Sequence, residues 1–247
     1  VRFFEGIGRL AYDAADPITS LYEGNRLRQV ADGAPEESCV VVPNGIDLER
    51  FAPLRQKRAA EVPKVLGLIG RVVPIKDIKT FIRAMRTVAS TDPEAEGWIV
   101  GPEDEDEKYA AECHDLVATL GLENNVKFLG FQDLRDILPK LGVVVLSSIS
   151  EAMPLVVVEG FAAGVPSVVT DVGACRELIE GRRDEDRALG TAGRVVQIAD
   201  PEALGSAALE LITDTEEWHR AQAAAIARVE KYYTEPMMIA RYLQIYE

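Results

Sequence analysis

The chain has 247 residues, 47% apolar and 28% charged, the composition of a globular protein with ample material for a core. Its 41 acidic residues outnumber 27 lysines and arginines, leaving a net charge of −14. That balance excludes the basic face a nucleic-acid binder needs, although a local pair of cations can still hold a small anion.

Taken in order, residues 1–42 mix polar and apolar positions without closing into a domain. Within them 14–21 reads as a short strand, 23–32 as a helix and 38–42 as a better strand. Pro43-Asn-Gly-Ile-Asp47 is a turn, because Asn-Gly tolerates positive φ. Residues 48–63 read as a linker. From Lys64 the pattern becomes regular: strands at 65–69, 98–100, 126–130, 143–147, 167–170 and 194–198 alternate with helices at 78–90, 105–120, 134–141, 154–163 and 175–180. The chain is helical from Pro201 onward, with 234–247 as a separate last helix. Six strands alternating with helices across 64–233 predict an α/β, Rossmann-like, doubly wound parallel sheet.

The apolar runs fall short of a membrane span. No charged segment followed by an apolar one opens the chain, so no signal peptide is expected. The start at Val1 rather than Met suggests a fragment. Cys39, Cys113 and Cys175 are scattered, odd in number and without CxxC spacing, which reads as reduced thiols in a cytoplasmic protein with neither zinc nor disulfides.

The stretch Ser147–Gly164 carries the strongest functional signal. It follows a buried-strand pattern, and Pro154 then suits the first turn of a helix. The helix is apolar all round except for Glu159, so it is expected to be buried, and a carboxylate there needs a partner. Glu151 lies just before the helix start. In sheets of this type ligands bind beyond the carboxyl ends of the strands. That rule selects the loops 70–77, 101–106, 130–133 and 147–154. The first carries Gly70, Arg71 and Lys76, and two cations opposite a helix N-terminus form a cradle for a diphosphate. Glu159 is placed to take a pair of ribose hydroxyls.

Gly70-Arg71-x4-Lys76 and Glu151-x7-Glu159, preceded by Pro43-Asn-Gly-Ile-Asp47 and followed by Gly164-Val-Pro166, resemble the retaining glycosyltransferases of family 4, with the GT-B fold. The resemblance runs along essentially the whole chain. The wording G-R-V-V-P-I-K-D and S-S-I-S-E-A-M-P-L-V-V-V-E-G is similar to the PelF-type branch, which serves Pel exopolysaccharide synthesis. It implies a nucleotide-sugar donor, a UDP-sugar in the first instance, and no metal or other cofactor. Arg71 and Lys76 would bind the diphosphate and stabilise the leaving group. Glu151 would contact the donor sugar, Glu159 the ribose, and Gly130 and Phe131 would lie along the base. Met153, Pro154 and Leu155 would present backbone N–H groups to the phosphate.

The resemblance further implies a polysaccharide or glycan acceptor bound by a preceding domain. Residues 1–47 would be the remnant of that domain and the crossover, and 234–247 would pack back toward it. By itself the chain is expected to be a donor-binding part that is incompetent for turnover. The branch works in the cytoplasm beside an inner-membrane synthase complex. Relatives often carry glycines where this chain has Ala-Met-Pro-Leu after Glu151, which points to a different choice of sugar. The alternatives are an epimerase-like or sucrose-phosphate-synthase-like enzyme of the same fold, or a nucleotide-sugar-binding module that never catalyses.

Several patterns carry no chemistry. Gly6-Ile-Gly-Arg-Leu-Ala11 has GxGxxA spacing, but no strand precedes it, so no dinucleotide site is read there. His114 and His219 read as solvated, and no G-x-S-x-G surrounds a serine. Trp218, Tyr232, Tyr233, Tyr242 and Tyr246 read as packing residues of the last helices.

Overall fold

The computed structural model describes residues 2–247, with side-chain environments from Gly6 onward. It opens with a small unit: α1 (Arg2–Asp13), β1 (Ile18–Ser20), α2 (Glu23–Ala31) and β2 (Cys39–Val41). The two strands pair in parallel, Ile18 opposite Cys39 and Ser20 opposite Val41. Helix α1 was not legible as an element, and it absorbs the whole of Gly6–Ala11. The strand expected at 14–21 shortens to three residues.

The expected linker at 48–63 is structured instead. Asp47 caps α3 (Leu48–Phe51), its carboxylate accepting from Glu49 N at 2.9 Å and Arg50 N at 3.4 Å. A 3₁₀ turn, Ala52–Lys57, follows. Phe51 and Leu54 are buried in the main core. Arg58 donates to the carbonyls of Leu138 and Leu141 at 3.1 and 2.7 Å and lies over the Trp218 ring. Burial brings the Arg58 guanidinium down to about 10. Charge along this segment masked two apolar anchors.

The main sheet consists of β3 (Val65–Ile69), β4 (Glu96–Val100), β5 (Val126–Gly130), β6 (Val143–Leu146), β7 (Ser167–Thr170) and β8 (Gly193–Val196). All neighbours are parallel, in the order β5-β4-β3-β6-β7-β8. This is the α/β, six-stranded parallel sheet the alternation of elements predicts. The strand order reverses between β3 and β6, which is where such sheets leave a crevice. Strand alternation splits the core in two. Leu66, Leu68, Ile99, Val143 and Val145 face one side, and Val144, Leu146 and Val169 face the other.

On the first face lies α4 (Ile78–Thr91), whose Ile78, Phe81, Ile82, Met85 and Val88 are fully buried. Each such side chain contributes roughly 1.5–3 kcal/mol of burial free energy. The other connections are α5 (Glu107–Thr119), α6 (Leu134–Ile137), α7 (Leu155–Ala162), α8 (Cys175–Glu180) and α9 (Asp184–Arg187). The C-terminal helices are α10 (Pro201–Thr213), α11 (Thr215–Tyr232) and α12 (Glu235–Tyr246).

Boundaries differ from expectation where a cap or proline decides them. Helix α5 begins at Glu107, because the Asp106 side chain accepts from Tyr109 N at 3.0 Å. The helix expected at 134–141 stops at Ile137, and Pro139 sits in the 3₁₀ turn that follows. Pro154 is the N-cap of α7 rather than its first residue. Helix α7 is also less enclosed than its sequence suggests, since Leu155 is half-exposed.

The chain closes on itself at Pro43–Asp47. Ile46 N donates to Tyr233 O and Glu235 N donates to Ile46 O, both at 2.9 Å, tying the start of α12 to Pro43–Asp47. Trp218 and Tyr233 pack as expected, but Tyr246 does not: it is largely exposed. Among the described residues no helix is long and apolar enough to cross a membrane.

Candidate functional site

The four loops singled out above all leave the carboxyl ends of β3, β4, β5 and β6. The β3–α4 loop is held by the β6–α7 loop. Ser147 Oγ donates to Lys76 O at 2.9 Å and to Asp77 O at 3.0 Å, and Ile149 N donates to Ile75 O at 3.0 Å. Asp77 sits at φ +45°, a conformation aspartate tolerates better than most residues. Its carboxylate accepts from Thr80 N at 3.3 Å and starts α4.

This bracing brings Lys76 Nζ within 2.6 Å of Glu151 Oε1. Ser148 Oγ donates to the same oxygen at 2.7 Å, while Ser148 O accepts from Thr170 Oγ1 at 2.6 Å. Among the described residues Glu151 Oε2 has no partner, so one carboxylate oxygen remains for a hydroxyl. The backbone of Glu151 is fixed from behind. Ala174 N donates to Ala152 O at 2.8 Å, and Gly173 sits at φ +53° with its backbone against the carbonyl of Glu151. A Cβ at Gly173 would lie 2.2 Å from that carbonyl oxygen. Cys175, just beneath, is fully buried, and burial pushes its thiol up to about 12.

Helix α7 then starts with its first N–H groups lacking carbonyls inside the helix. Leu155 carries such a donor, whereas Met153 lies just before the N-cap and its N–H is outside the helix. Pro154 carries none, since proline has no N–H, and that part of the expectation is corrected. Met153 is buried and meets the Pro43–Asp47 segment, where Asn44 Nδ2 donates to Met153 O at 3.4 Å.

Beside this pair lies a cleft of about 520 Å³ lined by Gly70, Arg71, Gly101, Pro102, Phe131, Gln132, Leu134 and Arg50. Arg71 is half-exposed and pairs with Glu105 at 2.6 Å. Phe131 is almost wholly exposed, an apolar ring on the rim with nothing packed over it. Gly130 adopts φ +62°, and its carbonyl accepts from Gly101 N at 2.8 Å.

Glu159 forms no ion pair among the described residues. Burial pushes its carboxyl above the ordinary value, and the charge of Arg50 partly opposes that. An unpaired carboxylate held in a half-buried place is costly unless a ligand completes it.

Gly70, Lys76, Glu151 and Ser147–Leu155 thus gather around the switch point. Arg71 and Phe131 line the adjoining cleft, and Gly130 stands behind its wall, bonded to Gly101. Sequence reasoning missed Arg50, Ser148 and Glu105. Arg50 lay in the supposed linker, where no local pattern marks it. Ser148 and Glu105 stood inside loops already singled out, and a search for partners of Glu151 and Arg71 could have found them.

The family model described as "Glycosyl transferases group 1" matches residues 63–214. A second, described as a domain of unknown function (DUF3492), matches residues 1–37. The chain is 32% identical over 165 residues to the D-inositol 3-phosphate glycosyltransferase of Saccharomonospora viridis, covering 61% of this chain and 38% of that protein. It is 28% identical over 219 residues to the lipopolysaccharide core biosynthesis mannosyltransferase LpsB of Rhizobium meliloti, covering 84% and 60%. The crystal structure of Anabaena Alr3699/HepE in complex with UDP superposes with a TM-score of 0.82 at 23% identity, covering 97% of this chain and 68% of that one. This chain therefore spans about two-fifths to three-fifths of the length of these two curated relatives.

Proposed function

Because this chain belongs to the glycosyl transferases group 1 family, we propose that it is the donor-binding part of a retaining glycosyltransferase that uses a UDP-sugar in exopolysaccharide synthesis, as in the PelF-type branch. The observation that carries the reading is the meeting of Lys76 and Glu151 at 2.6 Å beside the start of α7, with Arg71 on the wall of the adjoining cleft.

Departure of a nucleoside diphosphate leaves an oxocarbenium-like sugar and concentrates negative charge on the leaving group. Fixed donors aimed at that charge are the largest catalytic contribution such a site can make. Lys76 and Arg71 serve the diphosphate, together with the N–H groups of Met153 and Leu155. Glu151 offers Oε2 to a sugar hydroxyl while its other oxygen stays anchored. Glu159 takes the ribose hydroxyls, and Phe131 with Gly130 borders the base. The protein supplies the positive charge itself, so the reading expects no metal. UDP is favoured by the complex solved for the Anabaena relative, and a polysaccharide product by the lipopolysaccharide role of the Rhizobium relative. The acceptor falls to a preceding domain, and the assembly to the cytoplasmic face of an inner-membrane complex.

The test is calorimetric titration with UDP, UDP-glucose, UDP-N-acetylglucosamine and GDP, with EDTA present throughout. UDP binding weakened more than tenfold, about 1.4 kcal/mol, by Arg71→Ala and by Glu159→Ala supports the reading. A folded chain that binds no nucleotide sinks it.

A further inference from the structure

The β4–α5 loop carries five consecutive acids, Glu103 to Glu107, directly after Gly101 and Pro102, which line the cleft assigned to an anion. Most of them are occupied elsewhere. Glu103 meets His114 Nε2 at 2.6 Å, Asp106 caps α5, and Glu107 opens the first turn of that helix. Asp104 is exposed. Glu105 turns to Arg71, its two carboxylate oxygens 2.7 and 2.6 Å from Nη1.

The two loops are joined through their backbones, so this is not a chance meeting of long side chains. Gly70 N donates to Val100 O and Val72 N to Pro102 O, both at 2.9 Å. Gly101 packs so closely that a Cβ there would lie 2.1 Å from Gly70 O. Arg71 and Glu105 are thereby kept within reach of each other.

We propose that Glu105 is a built-in competitor for the diphosphate: it holds Arg71 while the cleft is empty and gives it up when a nucleotide enters. The inference rests on the reading that Arg71 binds the diphosphate. The pair is about half-exposed on both sides, and solvent-exposed pairs of this kind are weak enough to exchange. A diphosphate carries more charge and offers Arg71 stronger, charge-assisted hydrogen bonds. Once displaced, the Glu105 carboxylate remains beside the bound anion and repels it. Glu105 therefore lowers affinity for both donor and nucleotide product and speeds release. Lys76 differs: its partner Glu151 is also held by Ser148, and both are more buried. One cation of the motif is exchangeable and the other is fixed.

Calorimetry with UDP and with uridine tests this on the parent chain, Glu105→Gln, Glu105→Asp, Asp104→Asn, Arg71→Ala and the double variant Arg71→Ala/Glu105→Gln. Glu105→Gln is expected to bind UDP roughly two- to fivefold tighter, with uridine unchanged and Glu105→Asp close to the parent. Asp104→Asn, the same charge change without the Arg71 contact, gains less, and the gain of Glu105→Gln disappears without Arg71. The proposal falls if Arg71→Ala weakens UDP while Glu105→Gln does not strengthen it. It falls equally if the gain persists in full in the Arg71→Ala background, which would make it a general field of the acidic loop. If Arg71→Ala leaves UDP binding untouched, the assignment of Arg71 fails first and this inference with it.

Discussion

Arg228 and Asp186 meet at 2.6 Å on the side of α11 that faces α8 and α9, and Arg71 and Glu105 meet at the same distance on the cleft rim. The first pair is sealed, with side-chain exposures of 0% and 5%, and the second is open, at 55% and 50%. Arg228 also donates to the carbonyls of Leu178, Ile179, Asp186 and Gly190, and the second oxygen of Asp186 accepts from Arg182 N. The buried guanidinium therefore ties α11 to the segment from α8 to Gly190. The exposed one ties down nothing but a single carboxylate. Separation does not set what a pair is worth; solvent and the remaining hydrogen bonds do.

The comparison breaks most visibly at Arg228. Arg228→Ala leaves Asp186 buried without its counter-charge and should lower the unfolding free energy by about 3–5 kcal/mol in urea denaturation. Arg71→Ala should change it by less than about 1 kcal/mol. Equal losses would show that burial does not separate the two pairs.

Gly173→Ala comes next. It forces a side chain into a left-handed position and against the Glu151 carbonyl, at a cost of about 1–3 kcal/mol. UDP-sugar binding should fall with it, because the loop carrying Glu151 must shift. Destabilisation with unchanged donor binding would show that this backing does not position the site.

Glu159 gives a smaller effect, with a sign set by pH. Its folded value is raised above the ordinary glutamate value of about 4.3, so the folded chain holds this proton more tightly than the unfolded chain does. That contribution is complete below the unfolded value and is lost as pH rises through the folded one. Glu159→Gln removes the loss, so the variant should melt above the parent at pH 7, and the gap should close as pH falls toward 4. It should bind UDP more weakly all the same. A variant that melts below the parent at pH 7 would mean that Glu159 is held by a partner in the empty protein. Smallest of all, Glu105→Gln should leave stability within about 0.5 kcal/mol, as exposed substitutions do.

The same contrast governs how much could be read from the chain. The strands of the main sheet are apolar runs bounded by turn residues, and they were legible from Val65 to Val196. Strand β4 begins earlier than its apolar core, at Glu96, because Glu96 pairs with Val65 and its N–H donates to Lys64 O at 2.9 Å, while Lys127 and the Trp98 indole satisfy its carboxylate. The segment 48–63 was misjudged because its charges are frequent and its two anchors, Phe51 and Leu54, are too few to make a period. At the site, Gly70, Lys76, Glu151 and Glu159 were legible from residue type and loop position. Arg50 and Arg228 were not, since the value of an arginine depends on what surrounds it.

Local pattern determined the alternation of strand and helix, the parallel sheet and the loops that leave its carboxyl edge, because those follow from backbone periodicity, turn chemistry and chain connectivity. Tertiary structure decided which charges meet. Lys76 is placed on Glu151 by the Ser147 bonds, Arg71 on Glu105 by the packing of Gly101 against Gly70, and Glu159 is left without an ion pair near Arg50. Electrostatic energy depends on distance and burial, and neither is written in the spacing of residues along a chain.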